Sequence, residues 1–189
     1  MSDGRVLVRP FCVEDRPDAE AMWQELHGER LSGDTLRWLS LNPAELQKLL
    51  QRPFGDRALI LRETGQLIGS VGLVPQPAPY WLLDEEPVRD GVVRCSASAT
   101  TPWTVEIGLY WALRPGFRGR GYATDGAALM RDLAFRSMRV GRVVAYTEKS
   151  NRASRRVMDR LGMRPIEVEA ADAPWFQVVG VSERHGSSL

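Results

Sequence analysis

The spacing of apolar residues changes several times along the chain, and each change marks a new element. Residues 6–10 read as a short strand. Ala19, Met22, Trp23 and Leu26 then recur three and four apart, which predicts a helix over 17–26 with Glu14 and Asp15 as acidic residues near its start. Trp23 reads as core or as a wall for a substrate, and His27, at the helix end, as a partner for the C-terminal dipole. Residues 35–41 and 44–50 look helical, interrupted at Asn42-Pro43, where a turn is favoured. The period then falls to two, and 58–62 and 67–74 flank a Glu-Thr-Gly-Gln turn as a β-hairpin. Residues 104–113 are β-branched and aromatic enough for a largely buried strand, broken by Arg114, Pro115 and Gly116. Ala123, Ala127, Met130 and Ala134 restore helical spacing over about 124–138. A strand at 142–147, a helix at 151–161 capped by Gly162, and strands at 164–168 and 175–181 follow, with a frayed tail expected from Arg184.

Strand, helix, strand and helix in succession between 104 and 161 imply a parallel crossover, because parallel neighbours need a connection about as long as a helix. The fold class is therefore mixed α/β. A chain of 189 residues with 43% hydrophobic content suits a single domain, 1–189, with a sizeable core. Between the hairpin and the strand at 104 lies an insertion, about 75–102, that carries Pro75, Pro77, Pro79 and Pro87, the acidic run Asp84-Glu85-Glu86, and the aromatics Tyr80 and Trp81, with Trp103 at its end. Loops of that length inside compact domains are uncommon. A substrate lid, an arm for a homodimer and a surface loop all fit, and 92–95 reads as a possible short strand.

Charge changes the picture by exclusion. Lys and Arg number 25 against 24 acidic residues, a net charge of +1, so the whole-molecule field gives no argument for nucleic acid or an anionic membrane. The first residues lack the basic region and apolar run of a signal peptide, and no stretch approaches the roughly 18 apolar residues of a membrane span, so a soluble, cytoplasmic protein is expected. Cys12 and Cys95 stand far apart without metal-ligand spacing and read as reduced thiols, with no metal site expected.

The junction Arg118-Gly119-Arg120-Gly121-Tyr122-Ala123 joins the strand at 104–113 to the helix after it. Glycine reaches positive φ and lets backbone N–H groups approach a ligand closely, while a helix N-terminus adds further free donors and partial positive charge. Such a junction suits a diphosphate, with Arg118 and Arg120 adding charge at the rim. An ordinary strand-to-helix turn uses the same residues.

Arg118, Gly121 and Ala123 also fill the acetyl-coenzyme A signature of the GNAT superfamily of N-acetyltransferases: Arg or Gln, two residues, Gly, one residue, then Gly or Ala. The longer run from Glu106 to Thr124, with a second block from Asn151 to Met163, resembles the branch containing the ribosomal-protein N-terminal acetyltransferases. The two blocks cover about a third of the chain. The resemblance implies a mostly antiparallel sheet of about seven strands, splayed at a parallel pair and flanked by helices. It implies acetyl-coenzyme A as acetyl donor and transfer to a primary amine, on a protein N-terminus or a small molecule, by direct attack in a ternary complex. Pantetheine would lie along the backbone of Trp111, Ala112 and Leu113, and the diphosphate on Arg118, Gly119, Arg120, Gly121, Tyr122, Ala123 and Thr124. Asn151 and Ser154 would face the coenzyme, and Arg155 and Arg156 would reach its 3′-phosphate or stay solvated. A non-catalytic coenzyme A binding or sensing module would keep the same cradle.

Glu106 is a carboxylate on an apolar strand. Burial raises a carboxyl's pKa toward the range of a general base, and the resemblance gives this position that role; an ion pair with one of the many arginines is the alternative. Met158 stands where the family often has a tyrosine that protonates the departing thiolate. That leaves Ser154, or water, as the acid, unless the Ser154 hydroxyl only bonds its own backbone.

Overall fold

Val6 and Val8 are buried and Leu7 and Arg9 half-exposed, an alternation that fixes which face of the first long strand meets the core. In a computed structural model, which describes residues 1–49, 52, 54–79, 92–94, 103–169 and 177–184, this strand is β2 (Val6–Arg9), preceded by β1 (Ser2–Asp3). Helices α1 (Arg16–His27) and α2 (Gly33–Lys48) lead to the hairpin β3 (Gly55–Leu61) and β4 (Leu67–Pro79). After β5 (Val92–Arg94) come β6 (Trp103–Leu113), α3 (Tyr122–Arg136), β7 (Arg142–Thr147), α4 (Arg152–Arg160), β8 (Arg164–Glu169) and β9 (Val178–Glu183). Among the described residues, and leaving aside the two-residue β1 and the three-residue β5, the sheet has the seven strands expected. Among the described residues, no helix is long and apolar enough to cross a membrane.

The fold departs from the sequence reading at two places. Asn42-Pro43 does not divide α2, which runs through Pro43. The proline forfeits the bond to the Leu39 carbonyl. The helix survives because Leu36 and Leu39 are buried on one face, Ser32 caps its start by accepting from Thr35 N, and buried Asn42 donates to the Phe54 carbonyl at 3.4 Å. Residues 75–79, expected to be irregular, continue β4. Pro75, Pro77 and Pro79 alternate, so all three missing N–H groups fall on one edge of the strand and the other edge keeps its donors. The remainder of the 75–102 insertion, except β5, lies outside the described residues, as do Tyr80, Trp81, the acidic run, Cys95 and the tail beyond Arg184.

The chain forms two compact units, Met1–Val74 with Leu109–Met138, and Pro75–Gly108 with Arg139–Leu189; β4 and β6 each have residues in both. In the first, the strand order is β1, β2, β3, β4 and the second half of β6. Ala58, Ile60 and Leu67 pack with Phe11, Ala19, Met22, Leu36 and Leu39 beneath α1 and α2, where Trp23 is half-buried against the same core. On the opposite face α3 sits so close that a Cβ on Gly126 would stand 2.7 Å from Leu59 and 3.0 Å from Val71.

In the second unit the order is the first half of β6, then β7, β9, β8 and β5. The expected parallel crossover is present: β6 and β7 run parallel, in register only at Gly108 and Val144. Six registered pairs hold β7 to β9, so one pair marks where the sheet is loosest, as the splayed arrangement requires.

Candidate active site

In the first unit, the strand-to-helix junction has the geometry of an anion cradle. A single 3₁₀ turn at Pro115–Phe117 leads into Arg118, and α3 starts from Gly121 as its N-cap, at φ 88°. Arg118 N donates to the Pro115 carbonyl and Asp125 N to the Gly121 carbonyl. Between them, no backbone N–H from Gly119 to Thr124 finds an acceptor among the described residues. The buried hydroxyl of Thr124 also lacks a hydrogen-bond partner. The two glycines differ in use. Gly119 (φ 77°) would carry a Cβ into open space, whereas a Cβ on Gly121 would come 3.1 Å from Arg5 Nη2.

Arg5 is a residue that sequence reasoning missed. From the turn between β1 and β2 it donates to the Arg120 carbonyl at 3.0 Å and to Asp125 Oδ2 at 2.6 Å, and its guanidinium lies 5.3 Å from the centre of the Tyr122 ring. A second missed residue is Arg114. Its guanidinium joins Glu25 at 2.8 Å and Asp18 at 3.4 Å on α1, and its N–H donates to the Ile68 carbonyl, tying α1 to the end of β6. Glu25 is held below the usual carboxylate range by its hydrogen bond to Arg114. Arg118 is more than a rim charge, since its Nε donates to the Leu113 carbonyl at 3.0 Å and anchors the cradle to β6. Of the proposed pantetheine strand, Ala112 presents its carbonyl toward β4, where a Cβ on Gly69 would collide with it.

In the second unit, both oxygens of Glu106 meet Arg142 in a fork, at 2.6 and 2.9 Å. This fork is the arginine ion pair that the sequence offers beside the general-base role. The pair lies in an open cleft of about 550 Å³ that Val105, Val140 and Glu183 also line. Nearby Tyr146 is pushed well above the usual phenol range, first by burial and then by the Glu106 charge, and so stays neutral.

Helix α4 begins at Arg152 because Asn151 caps it, its side-chain oxygen accepting from Ser154 N at 3.0 Å. The amide NH₂ of Asn151 stays open to a ligand. The Ser154 hydroxyl is half-buried and makes no bond to its own backbone. Met158 is buried against β9, where a Cβ on Gly180 would lie 3.0 Å from its sulfur. Arg155 turns to Glu167 and the Lys149 carbonyl, while Arg156 is exposed and has no partner among the described residues.

The family model for an acetyltransferase (GNAT) domain matches residues 5–164. The chain belongs to the GNAT acetyltransferase family. It is an acyltransferase, similar to an uncharacterized N-acetyltransferase, YnaD of Bacillus subtilis (strain 168), at 36% identity over 85% of this chain and 79% of the relative. The ribosomal-protein-S5-alanine acetyltransferase of Vibrio fischeri shares the fold at TM-score 0.66 and 14% identity, over 97% of this chain and 95% of the other. So does RimL, a ribosomal L7/L12 α-N-protein acetyltransferase solved with coenzyme A, at TM-score 0.57 and 13% identity, over 96% and 95%.

GNAT enzymes use acetyl-coenzyme A, and the first unit passes a physical test for it. Consecutive unpaired N–H groups, an orphaned buried hydroxyl at a helix N-terminus and a glycine open to space form a donor set with no acceptor of its own.

Proposed function

We propose that the protein is an acetyl-coenzyme A-dependent N-acetyltransferase, a single catalytic domain with an insertion at about 75–102. The observation that carries this reading is the run of unpaired donors from Gly119 to Thr124, which calls for a diphosphate. Acetyl-coenzyme A, when bound, supplies the acetyl group as a thioester open to direct attack by a free amine. The N–H groups of Gly119, Arg120, Gly121, Tyr122, Ala123 and Thr124 hold the diphosphate, helped by the free edges of the Arg118 and Arg120 guanidinium groups. The backbone of Trp111, Ala112 and Leu113 pairs with the pantetheine; Leu113 has one carbonyl lone pair already given to Arg118. Asn151 through its NH₂ and Arg156 through its unpaired charge keep their coenzyme roles, and Arg155, committed to Glu167, loses its own.

The Ser154 hydroxyl, without a partner among the described residues, is the proton donor this reading favours, since the Met158 sulfur has no proton to give. Glu106 is assigned to structure. Any proton it accepts has to be accommodated against the Arg142 fork. The experiment is turnover: purified protein with acetyl-coenzyme A and a panel of amines, monitored by thiol release. Amine-dependent release of coenzyme A is expected. Tight coenzyme A binding with no release for any amine, including protein N-termini and polyamines, would leave a sensing module instead.

A further inference from the structure

A second carboxyl, Asp56, stands in the first unit at the start of β3, half-buried on the face shared with Ala58 and Ile60 and covered by α1 and α2. Its register partner on β4 is Gly72. A Cβ there would collide with the Tyr110 ring and come within 2.7 Å of the Tyr110 oxygen, so the ring lies directly over the glycine. Next to Asp56, Gly55 has φ 102°, and a Cβ there would come 2.9 Å from the Asn42 amide nitrogen. Tyr110 therefore turns its hydroxyl toward Asp56 and Ser70, although no group among the described residues reaches this buried oxygen with full hydrogen-bond geometry.

Among the described residues, no cation forms an ion pair with the Asp56 carboxylate. Arg57, next in the chain, gives Nη1 to the Asp56 backbone carbonyl at 3.0 Å. His27 is exposed at the end of α1 with its ring 5.0 Å from that of Trp23. Burial drives the Asp56 carboxyl above its ordinary range against the opposing pulls of Tyr110, Arg57 and His27. Tyr110 is pushed far above the usual phenol range by burial first and then by Asp56, so it stays neutral. One carboxylate, one phenol and one hydroxyl are too few oxygens for calcium or magnesium, but they match an ammonium, which needs three acceptors.

We propose that Asp56, oriented by Tyr110, binds the ammonium of the acceptor, so that the acceptor enters as a cationic primary amine. The inference rests on the N-acetyltransferase reading above. The carboxylate forms a charge-assisted hydrogen bond to the ammonium. It is also the group placed to take one proton from it, R–NH₃⁺ and carboxylate becoming R–NH₂ and carboxylic acid, which frees the nitrogen lone pair for attack.

The test needs no identified acceptor. Protein labelled with ¹³C at aspartate carboxyls is titrated with propylammonium chloride and, separately, with neutral propan-1-ol; the Asp56 signal is the one absent from Asp56→Asn. A saturable shift of that signal with propylammonium alone is expected, weakened about fivefold in Tyr110→Phe, as for one lost hydrogen bond. Equal shifts with both probes, or no saturation, would overturn the proposal, and the wild-type titration decides this even if a variant misfolds. Coenzyme A affinity, measured by calorimetry on wild type and Asp56→Asn, should be the same in both. Wild-type protein that binds no coenzyme A would sink the acetyltransferase reading and leave the Asp56 result standing.

Discussion

Arg5 shows how a residue acquires a role that its own neighbourhood in sequence cannot reveal: it meets Arg120 across 115 positions. Its side chain is 55% exposed, so the pair with Asp125 adds little stability. Its effect is on shape and charge, since it holds the Arg120 carbonyl back from the cradle and neutralises Asp125, an anion one turn from the proposed diphosphate. Arg5→Ala should raise the KM for acetyl-coenzyme A about tenfold, roughly 1.4 kcal/mol, with kcat nearly unchanged and Arg5→Lys partly restoring binding. An unchanged KM would reduce Arg5 to a surface contact. Glu106 makes the opposite point, because its carboxyl was legible in the sequence and its partner was not. Glu106→Gln should cost about 1 kcal/mol, worth roughly 2–4 °C in thermal midpoint at this chain length, by removing the carboxylate from its fork with Arg142. If the variant keeps its stability but loses about 10² or more in kcat, Glu106 is the general base after all.

At the scale of elements, periodicity placed every long strand and helix, because each buries one face and the apolar residues record it. Ends were less legible. α2 crosses Pro43 because tertiary burial of Leu36 and Leu39 outweighs one lost backbone bond. β4 extends past Val74 although three prolines suggested a loop. The entry to α1 depends on a pair invisible to periodicity: Asp15, 8% exposed, accepts from Arg9 twice at 2.6 Å and from Cys12 N at 2.9 Å. Burial pushes the Asp15 carboxyl up, but the Arg9 and Cys12 hydrogen bonds together hold it below its ordinary 3.8. A depressed carboxyl contributes stability that is fully present above the unfolded value and is lost as pH falls through the folded one. Asp15→Asn should therefore lose about 1–3 kcal/mol at pH 7 in chemical denaturation, a deficit that shrinks below pH 3.8 as wild type is protonated. A deficit that persists undiminished in acid would show that shape rather than charge is what Asp15 supplies.

For the whole molecule, the parallel crossover and the glycine junction were readable because chain order and backbone freedom are written locally. The placement of Tyr110 beside Asp56 was not, since it arises from three strands meeting around Gly72. Acetyl-coenzyme A binding by this chain depends above all on the start of α3 holding the diphosphate through main-chain donors. Backbone ¹H–¹⁵N spectra recorded while coenzyme A is added read those donors one by one. The prediction is saturable shifts largest at Gly119 to Thr124, reduced when Gly119 is changed to Ala, whose new Cβ would enter the space the ligand needs and strain a positive φ. Saturable binding that leaves those six amides unmoved would contradict it.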